Sequence, residues 1–314
     1  MRGLPAALVE AFSELPLGGN GAAVVALDRP APAAWMQRLA GRLQQSETAF
    51  LLPLEQGWAL RWFTPTQEVP LCGHATLAAV LALSHWQRLA PEESTSFLTR
   101  SGPLLVRVVR ALMPPTATAH GEPPFAEIVL PTFPLYPGPP PRDLLRLLQE
   151  RLQQAPLGFW QSTLGYQVVL LGPTAPLASM EGVSEALTGG ARQGLVMMQA
   201  VSEGDQPAAS VAGERADYQL RFFAPGLGIN EDPVTGSAHA LVAPYWMAQL
   251  NRRRVVGWQC SDRPGGMVCE GGSSGMIRLT GAGHLLWEGT LWAEPEPFSG
   301  SSEAQEDWQQ ACCP

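Results

Sequence analysis

Leu60-Arg61-Trp62-Phe63-Thr64-Pro65, followed after a short gap by Glu68-Val69-Pro70-Leu71-Cys72-Gly73-His74-Ala75, is the stretch that decides the fold, because it occurs twice. The second copy, about 160 residues on, reads Leu220-Arg221-Phe222-Phe223-Ala224-Pro225 and then Glu231-Asp232-Pro233-Val234-Thr235-Gly236-Ser237-Ala238. An aromatic strand, a Pro turn, an acidic-X-Pro step, a glycine and a helix recur in one order, which points to a duplicated half. The fold-bearing positions match, while the reactive ones differ: Cys72 aligns with Thr235 and His74 with Ser237.

The pattern around the first copy predicts strands over 6–12, 22–27, 49–54 and 58–63. Between them a helix is expected over 32–45, with Trp35, Met36, Leu39, Ala40 and Leu43 on one face. Ser46-Glu47-Thr48 closes that helix, and a nearly all-apolar helix from Ala75 to Trp86 follows the motif; such a helix is buried. The second half repeats the style, with strands at 126–130, 166–171, 195–200, 218–223, 258–261, 266–270, 276–280 and 285–292. Its helices are expected at 142–154 and 237–250, the latter kinked at Pro244. The sum is an α+β chain of two pseudo-symmetric lobes, each a curled, barrel-like sheet around one buried helix.

Residues 1–113 form the expected N-terminal lobe and 125–284 the C-terminal lobe, with a strand near 285–293 a candidate to return to the first. The Pro-rich stretch 113–124 reads as the linker, and 294–314, rich in acidic, Ser, Pro and Gln residues, as a disordered tail.

Composition removes several classes of function. A net charge of −8 and a pI near 5.2 argue against nucleic acid or an anionic membrane as partner. All 20 basic residues are arginine, so there is no lysine for a pyridoxal phosphate Schiff base or a Walker loop. Cys72, Cys260, Cys269, Cys312 and Cys313 form no CxxC pair and no metal-like spacing with the histidines, so neither disulfides nor a metal is expected. With no secretion signal or membrane-spanning run, a cytoplasmic protein is expected.

The candidate chemistry starts at the two helix beginnings. Gly73-His74-Ala75 and Gly236-Ser237-Ala238 each offer backbone amides and the positive end of a helix dipole behind a glycine, an arrangement that fits a carboxylate. Thr235 and Ser237 read alternatively as plain N-caps, a reading that the two matched copies weaken. Glu47, placed at the C-terminal end of a helix, faces the negative end of the dipole, which raises a carboxyl pKa and suits a group that takes and returns a proton; a solvated junction glutamate is the alternative. His74 and Asp232 are candidates to exchange protons or hydrogen bonds near neutral pH, although Asp232-Pro233 also reads as a plain turn. His85, His120, His239 and His284 read as structural or exposed. Cys72 reads as a cleft-lining thiol, since a two-thiol racemase would need a second cysteine where Thr235 stands.

Ser46-Glu47-Thr48-Ala49-Phe50, the stretch from Leu60 to Ala78, and Glu231 to Ala238 together resemble the phenazine-biosynthesis PhzF family, over nearly the whole chain to about Trp292. The resemblance implies a diaminopimelate epimerase-like fold with the active site between two lobes, a homodimer, and cofactor-independent isomerisation by proton transfer. By it, Glu47 is the shuttling acid, accompanied by His74, Asp232 and Ser237. The small carboxylate-bearing substrate would be held by Gly73, Ala75, Cys72, Thr235, Gly236 and Asn20. A metabolite binder that has lost turnover, and a cysteine-based racemase using Cys72, are the alternatives. Two departures from the family pattern stand out: Gly21 in Gly19-Asn20-Gly21, expected to loosen a turn, and Pro264 in Ser261-Asp262-Arg263-Pro264-Gly265-Gly266, in a loop expected to line the cleft.

Overall fold

A computed structural model describes residues 3–109, 123–152, 155–187, 194–201, 209–273, 275–293 and 307–309. Most of the expected linker, with His120, lies outside them, as do Cys312 and Cys313. In chain order the first half gives β1 (Leu4–Ala11), β2 (Asn20–Ala26), α1 (Ala33–Leu43), β3 (Glu47–Pro53), β4 (Trp58–Phe63), β5 (Glu68–Val69), α2 (Gly73–His85), β6 (Ser94–Thr99), β7 (Gly102–Val109) and β8 (Phe125–Pro131). The second half begins with β9 (Leu135–Pro137), α3 (Arg142–Leu152), β10 (Gly158–Ser162), β11 (Gln167–Leu170), α4 (Val183–Ala186), β12 (Leu195–Ala200) and a short hairpin of β13 (Ser210–Val211) and β14 (Glu214–Arg215). It ends with β15 (Tyr218–Ala224), β16 (Ile229–Asp232), α5 (Gly236–Leu250), β17 (Arg254–Gln259), β18 (Gly265–Gly271) and β19 (Met276–Leu291).

The chain divides into two compact units, one of Met1–Val129 with Thr280–Pro314, the other of Leu130–Leu279. In the first, β1 pairs antiparallel with β2, β2 parallel with β3, β3 antiparallel with β4, β4 parallel with β6, and β6 antiparallel with β7. The pairings β7–β8, β8–β19 and β19–β1 then bring the sheet back to its start, closing a ring of strands. Closure removes the unpaired edges that an open sheet would leave. Helix α2 packs on β1, β2, β3 and β7, and every residue from Gly73 to Leu83 is buried, as its all-round apolar sequence requires.

The second unit repeats the same series. Strands β10–β11 are antiparallel, β11–β12 parallel, β12–β15 antiparallel, β15–β17 parallel and β17–β18 antiparallel, with β16 on β15 as β5 is on β4. Helix α5 takes the place of α2 and continues through Pro244, whose ring is exposed. The sequence repeat is therefore a repeat of strand pairing. Arginine and glutamate hold the same place in each copy: Arg61 forks onto Glu68 at 2.8 and 2.9 Å, and Arg221 onto Glu231 at 2.7 and 2.6 Å.

Several expectations change. The strands read separately at 276–280 and 285–292 are one sixteen-residue strand, β19, and β17 lies four residues earlier than its apolar pattern indicated. Gly21 is inside β2, paired with Glu10, so it loosens no turn; the turn needs Gly19, whose φ of +78° is the left-handed region. Within the expected disordered tail, residues 307–309 form a helical turn that packs on the first unit. Trp308 is 3% exposed among Leu4, Trp35, Phe50 and Phe63, and its indole N–H donates to the Ala31 carbonyl at 2.8 Å. Asp307 takes the remaining face of the buried Arg61 guanidinium at 2.7 Å. The tail's hydrophilic composition concealed one large apolar anchor.

Candidate functional site

In the first unit four elements bring their ends to one place. Asn20 opens β2, Glu47 opens β3, Ser46 precedes it, and Cys72 and His74 stand at the N-cap and in the first turn of α2. The parallel pairing of β2 with β3, with Ala22 opposite Glu47, fixes the first two relative to each other. Burial of α2 within the sheet fixes the last two.

His74 is the hub. Its Nε2 lies 3.0 Å from Glu47 Oε2 and 3.2 Å from Ser46 Oγ; its Nδ1 lies 3.2 Å from Asn20 Nδ2 and 3.5 Å from Cys72 Sγ. The Ser46 hydroxyl donates to the Gly21 carbonyl at 2.8 Å, tying the cluster to the β2 backbone. Asn20, Glu47, Cys72 and His74 are all buried. Glu47 Oε2 is buried, and the imidazole of His74, within ion-pair distance, faces it directly.

The electrostatics reverse one expectation. Glu47 does not end a helix: α1 stops at Leu43, Gln44 caps it in the left-handed conformation, and Glu47 belongs to β3. No helix dipole raises its pKa. Burial pushes the carboxyl up, but the charge and hydrogen bond of His74, helped by Ser46 and Cys72, outweigh it and hold the pKa below the ordinary carboxylate value. Burial disfavours the charged form of His74, yet Cys72 and then Glu47, through charge and hydrogen bonding, hold its pKa well above the usual value. Cys72 is pushed up to about 11, first by burial and then by the Glu47 charge. It is therefore a thiol near neutrality, which leaves the Glu47 carboxylate as the charge that retains the imidazolium proton.

The second unit holds the matching helix start. Thr235 is the N-cap of α5 as Cys72 is of α2, with similar extended backbone angles, and neither side chain caps its helix. The N-cap alternative thus fails for Thr235: its hydroxyl donates instead to Asp232 Oδ2 at 2.5 Å. Its backbone N–H donates to Gln259 Oε1 at 2.8 Å, while Gln259 Nε2 donates to the Asp232 carbonyl. Gly236 is buried behind Thr235; Ser237 is half-buried, with Oγ 3.4 Å from the Tyr166 hydroxyl. The loop carrying Pro264 contributes Ser261, whose hydroxyl donates to the Pro233 carbonyl at 2.8 Å.

Asn20, Glu47, Cys72 and His74 are therefore brought together in the first unit, with Gly73 and Ala75 buried in the first turn of α2; Asp232, Thr235, Gly236 and Ser237 gather in the second. Ser46, Gln259 and Tyr166 were not singled out in the sequence. Ser46 adjoins Glu47 and shares its motif, whereas Gln259 reaches Thr235 only because β17 lies parallel to β15, which no local pattern reveals. Cysteine and histidine spacing gave no metal-ligand set. In space, one donor atom each from Glu47, Cys72 and His74 lies within 4.8 Å of the other two, so among the described residues these three form a group that could hold a cation.

The comparisons agree with this architecture. The sequence model of the PhzC-PhzF family, described as phenazine biosynthesis-like protein, matches residues 9–289. A protein of Halalkalibacterium halodurans named as an uncharacterized isomerase is 33% identical over 266 residues, 84% of this chain and 89% of that one. The crystal structure of a phenazine biosynthesis protein of the PhzF family from Enterococcus faecalis superposes with a TM-score of 0.75 at 29% identity, covering 93% of this chain and 100% of the other. A probable proline racemase from Agrobacterium radiobacter, at 11% identity and a TM-score of 0.57 over 95% of each chain, shares the fold. On the family match across most of its length, the chain belongs to the phenazine biosynthesis-like PhzC-PhzF family.

Proposed function

We propose that the protein is an isomerase that moves a proton between carbon atoms of a small, carboxylate-bearing substrate, with Glu47 as the group that carries it. The observation behind this reading is the buried Glu47–His74 pair at 3.0 Å: a carboxylate kept ionised next to an imidazolium, at the start of a helix. That relatives of about one-third identity are named isomerases supports the reaction class.

The substrate carboxylate sits at the first-turn amides of α2, where Gly73 allows close approach and the helix dipole favours an anion. Glu47 removes a proton from carbon, becoming a carboxylic acid, and the electron pair left behind spreads into the adjoining unsaturation. Glu47 then returns the proton to a different carbon and is a carboxylate again. His74 and Asn20 polarise the substrate and stabilise the anionic intermediate. General acid–base catalysis of this kind supplies roughly 10²–10⁴-fold in rate, and positioning adds to it. Asp232, Thr235 and Ser237 occupy the corresponding helix start of the second unit, where Thr235 donates to Asp232. Cys72, a thiol rather than a thiolate near neutrality, lines the site and is no nucleophile.

A panel of unsaturated cyclic and linear amino and hydroxy acids incubated with the protein in D₂O tests the reaction class. Isomerisation with deuterium at the accepting carbon supports it. Tight binding of a panel member with no conversion and no exchange would replace it with a metabolite-binding role.

A further inference from the structure

We infer that Glu47, Cys72 and His74 form a binding site for one soft divalent cation of the zinc type, with a fourth position open. The three donors are the carboxylate, thiolate and imidazole that zinc takes, and they reach the same point from β3, from the N-cap of α2 and from its first turn. His74 Nε2 is 3.0 Å from Glu47 Oε2 and 3.9 Å from Cys72 Sγ. Bonds of about 2.0–2.3 Å from a tetrahedral ion place neighbouring donors at comparable separations, so small side-chain rotations suffice.

Two further observations fit a cation. Glu47 Oε2 is buried with its charge balanced by the His74 imidazole 3.0 Å away, a balance that a bound cation takes over when it displaces the Nε2 proton. The outer contacts are also those of a ligating histidine, whose second ring nitrogen is normally oriented by a hydrogen-bonding neighbour; Asn20 stands 3.2 Å from Nδ1. With the Asn20 amide turned to present its oxygen, Nδ1–H donates to it and Nε2 is free to face the ion. The thiol proton of Cys72 and the Nε2 proton of His74 leave to solvent as the ion binds; no electron transfer is involved.

Cation binding goes beyond the proposed isomerisation and does not depend on it, whereas its inhibitory consequence rests on that reading. A bound cation occupies both the proton carrier and its partner, so the loaded protein is an inhibited form of the same site. Loading would therefore respond to metal availability, with substrate and cation competing for Glu47 and His74.

Cobalt(II) is the probe, because thiolate ligation gives it a ligand-to-metal charge-transfer band and tetrahedral geometry gives it intense visible bands. The full chain is stripped with a chelator and used with Cys312→Ser and Cys313→Ser, which removes the adjacent thiol pair at the C-terminus. One equivalent of cobalt should produce both signatures, and zinc should displace it. Adding Cys72→Ser should abolish the charge-transfer band, while Glu47→Gln, which removes a direct ligand, should keep it and weaken binding by more than the roughly 10–100-fold typical of losing an outer-shell partner. Independently of those variants, zinc should slow alkylation of Cys72 in the otherwise native protein and leave that of Cys260 unchanged. A chain that shows no tetrahedral cobalt spectrum, a spectrum indifferent to Cys72→Ser, or no zinc protection of Cys72 overturns the inference. Deuterium exchange is read on chelator-stripped protein, so it stands or falls separately.

Discussion

Glu47 Oε2 and His74 Nε2 face each other at 3.0 Å with both side chains buried, and each favours the charged form of the other. A buried pair is a weak source of net stability, but breaking it is costly because one charge is left alone in a dry site. His74→Ala is therefore expected to destabilise the protein by about 3–5 kcal/mol, the range for breaking buried pairs. Combining it with Glu47→Gln should return part of that loss. Equilibrium denaturation of the two single variants and the double variant checks the coupling; additive effects would show that the pair does not interact.

The arginine fork of the second unit gives a prediction of its own. Arg221 donates to both oxygens of Glu231, to the Leu177 carbonyl at 3.2 Å and to the Met180 carbonyl, so its planar head holds the Leu177–Met180 backbone against β15. Lysine cannot present that fork. Arg221→Lys should cost roughly 1.5–3 kcal/mol for each charge-assisted bond lost, and hydrogen exchange should rise first around residues 177–187.

Trp308 anchors the C-terminal tail to the first unit, and its ring also lies 5.3 Å from the Arg61 guanidinium. Trp308→Ala should lower stability by about 3–5 kcal/mol through the cavity and the unpaired Ala31 carbonyl. Thermal unfolding reads the loss. A change below about 1 kcal/mol would mean that the tail contributes no core.

His239 makes the stability of the second unit depend on pH. Its Nδ1 is 2.8 Å from the Tyr218 hydroxyl, its Nε2 has no partner, and burial lowers its pKa to about 3. The unfolded chain therefore takes up a proton near pH 6.5 that the folded protein refuses. The resulting stability is complete above that pH and is lost as pH falls towards about 3, by up to about 1.4 kcal/mol per unit. His239→Gln should flatten this part of the profile in denaturant titrations between pH 4 and 7.

The repeated motif made much of the fold readable, because Leu60 to Ala75 and Leu220 to Ala238 each carry a strand, a turn and a buried helix in contiguous sequence. What stayed hidden was non-local. Strands β6 and β7 carry polar residues such as Ser94, Thr95 and Arg107 among their apolar ones and show no clean alternation. The site followed the same rule. Motif and repeat single out Glu47 and His74, but the helix-end argument gives the Glu47 pKa the wrong direction, because three residues separate the end of α1 from β3 and a dipole argument fails once the chain has left the helix. Gln259 and the convergence of Cys72 with Glu47 arise from strand order, which spacing along the chain does not encode.

The most direct test of the central claim is the rate at which the metal-stripped protein exchanges substrate hydrogen with D₂O, compared with Glu47→Gln on the same substrate. The account predicts that Glu47→Gln still folds and binds substrate but loses roughly 10²–10⁴-fold in the exchange rate. Exchange at the undiminished rate by Glu47→Gln would contradict it.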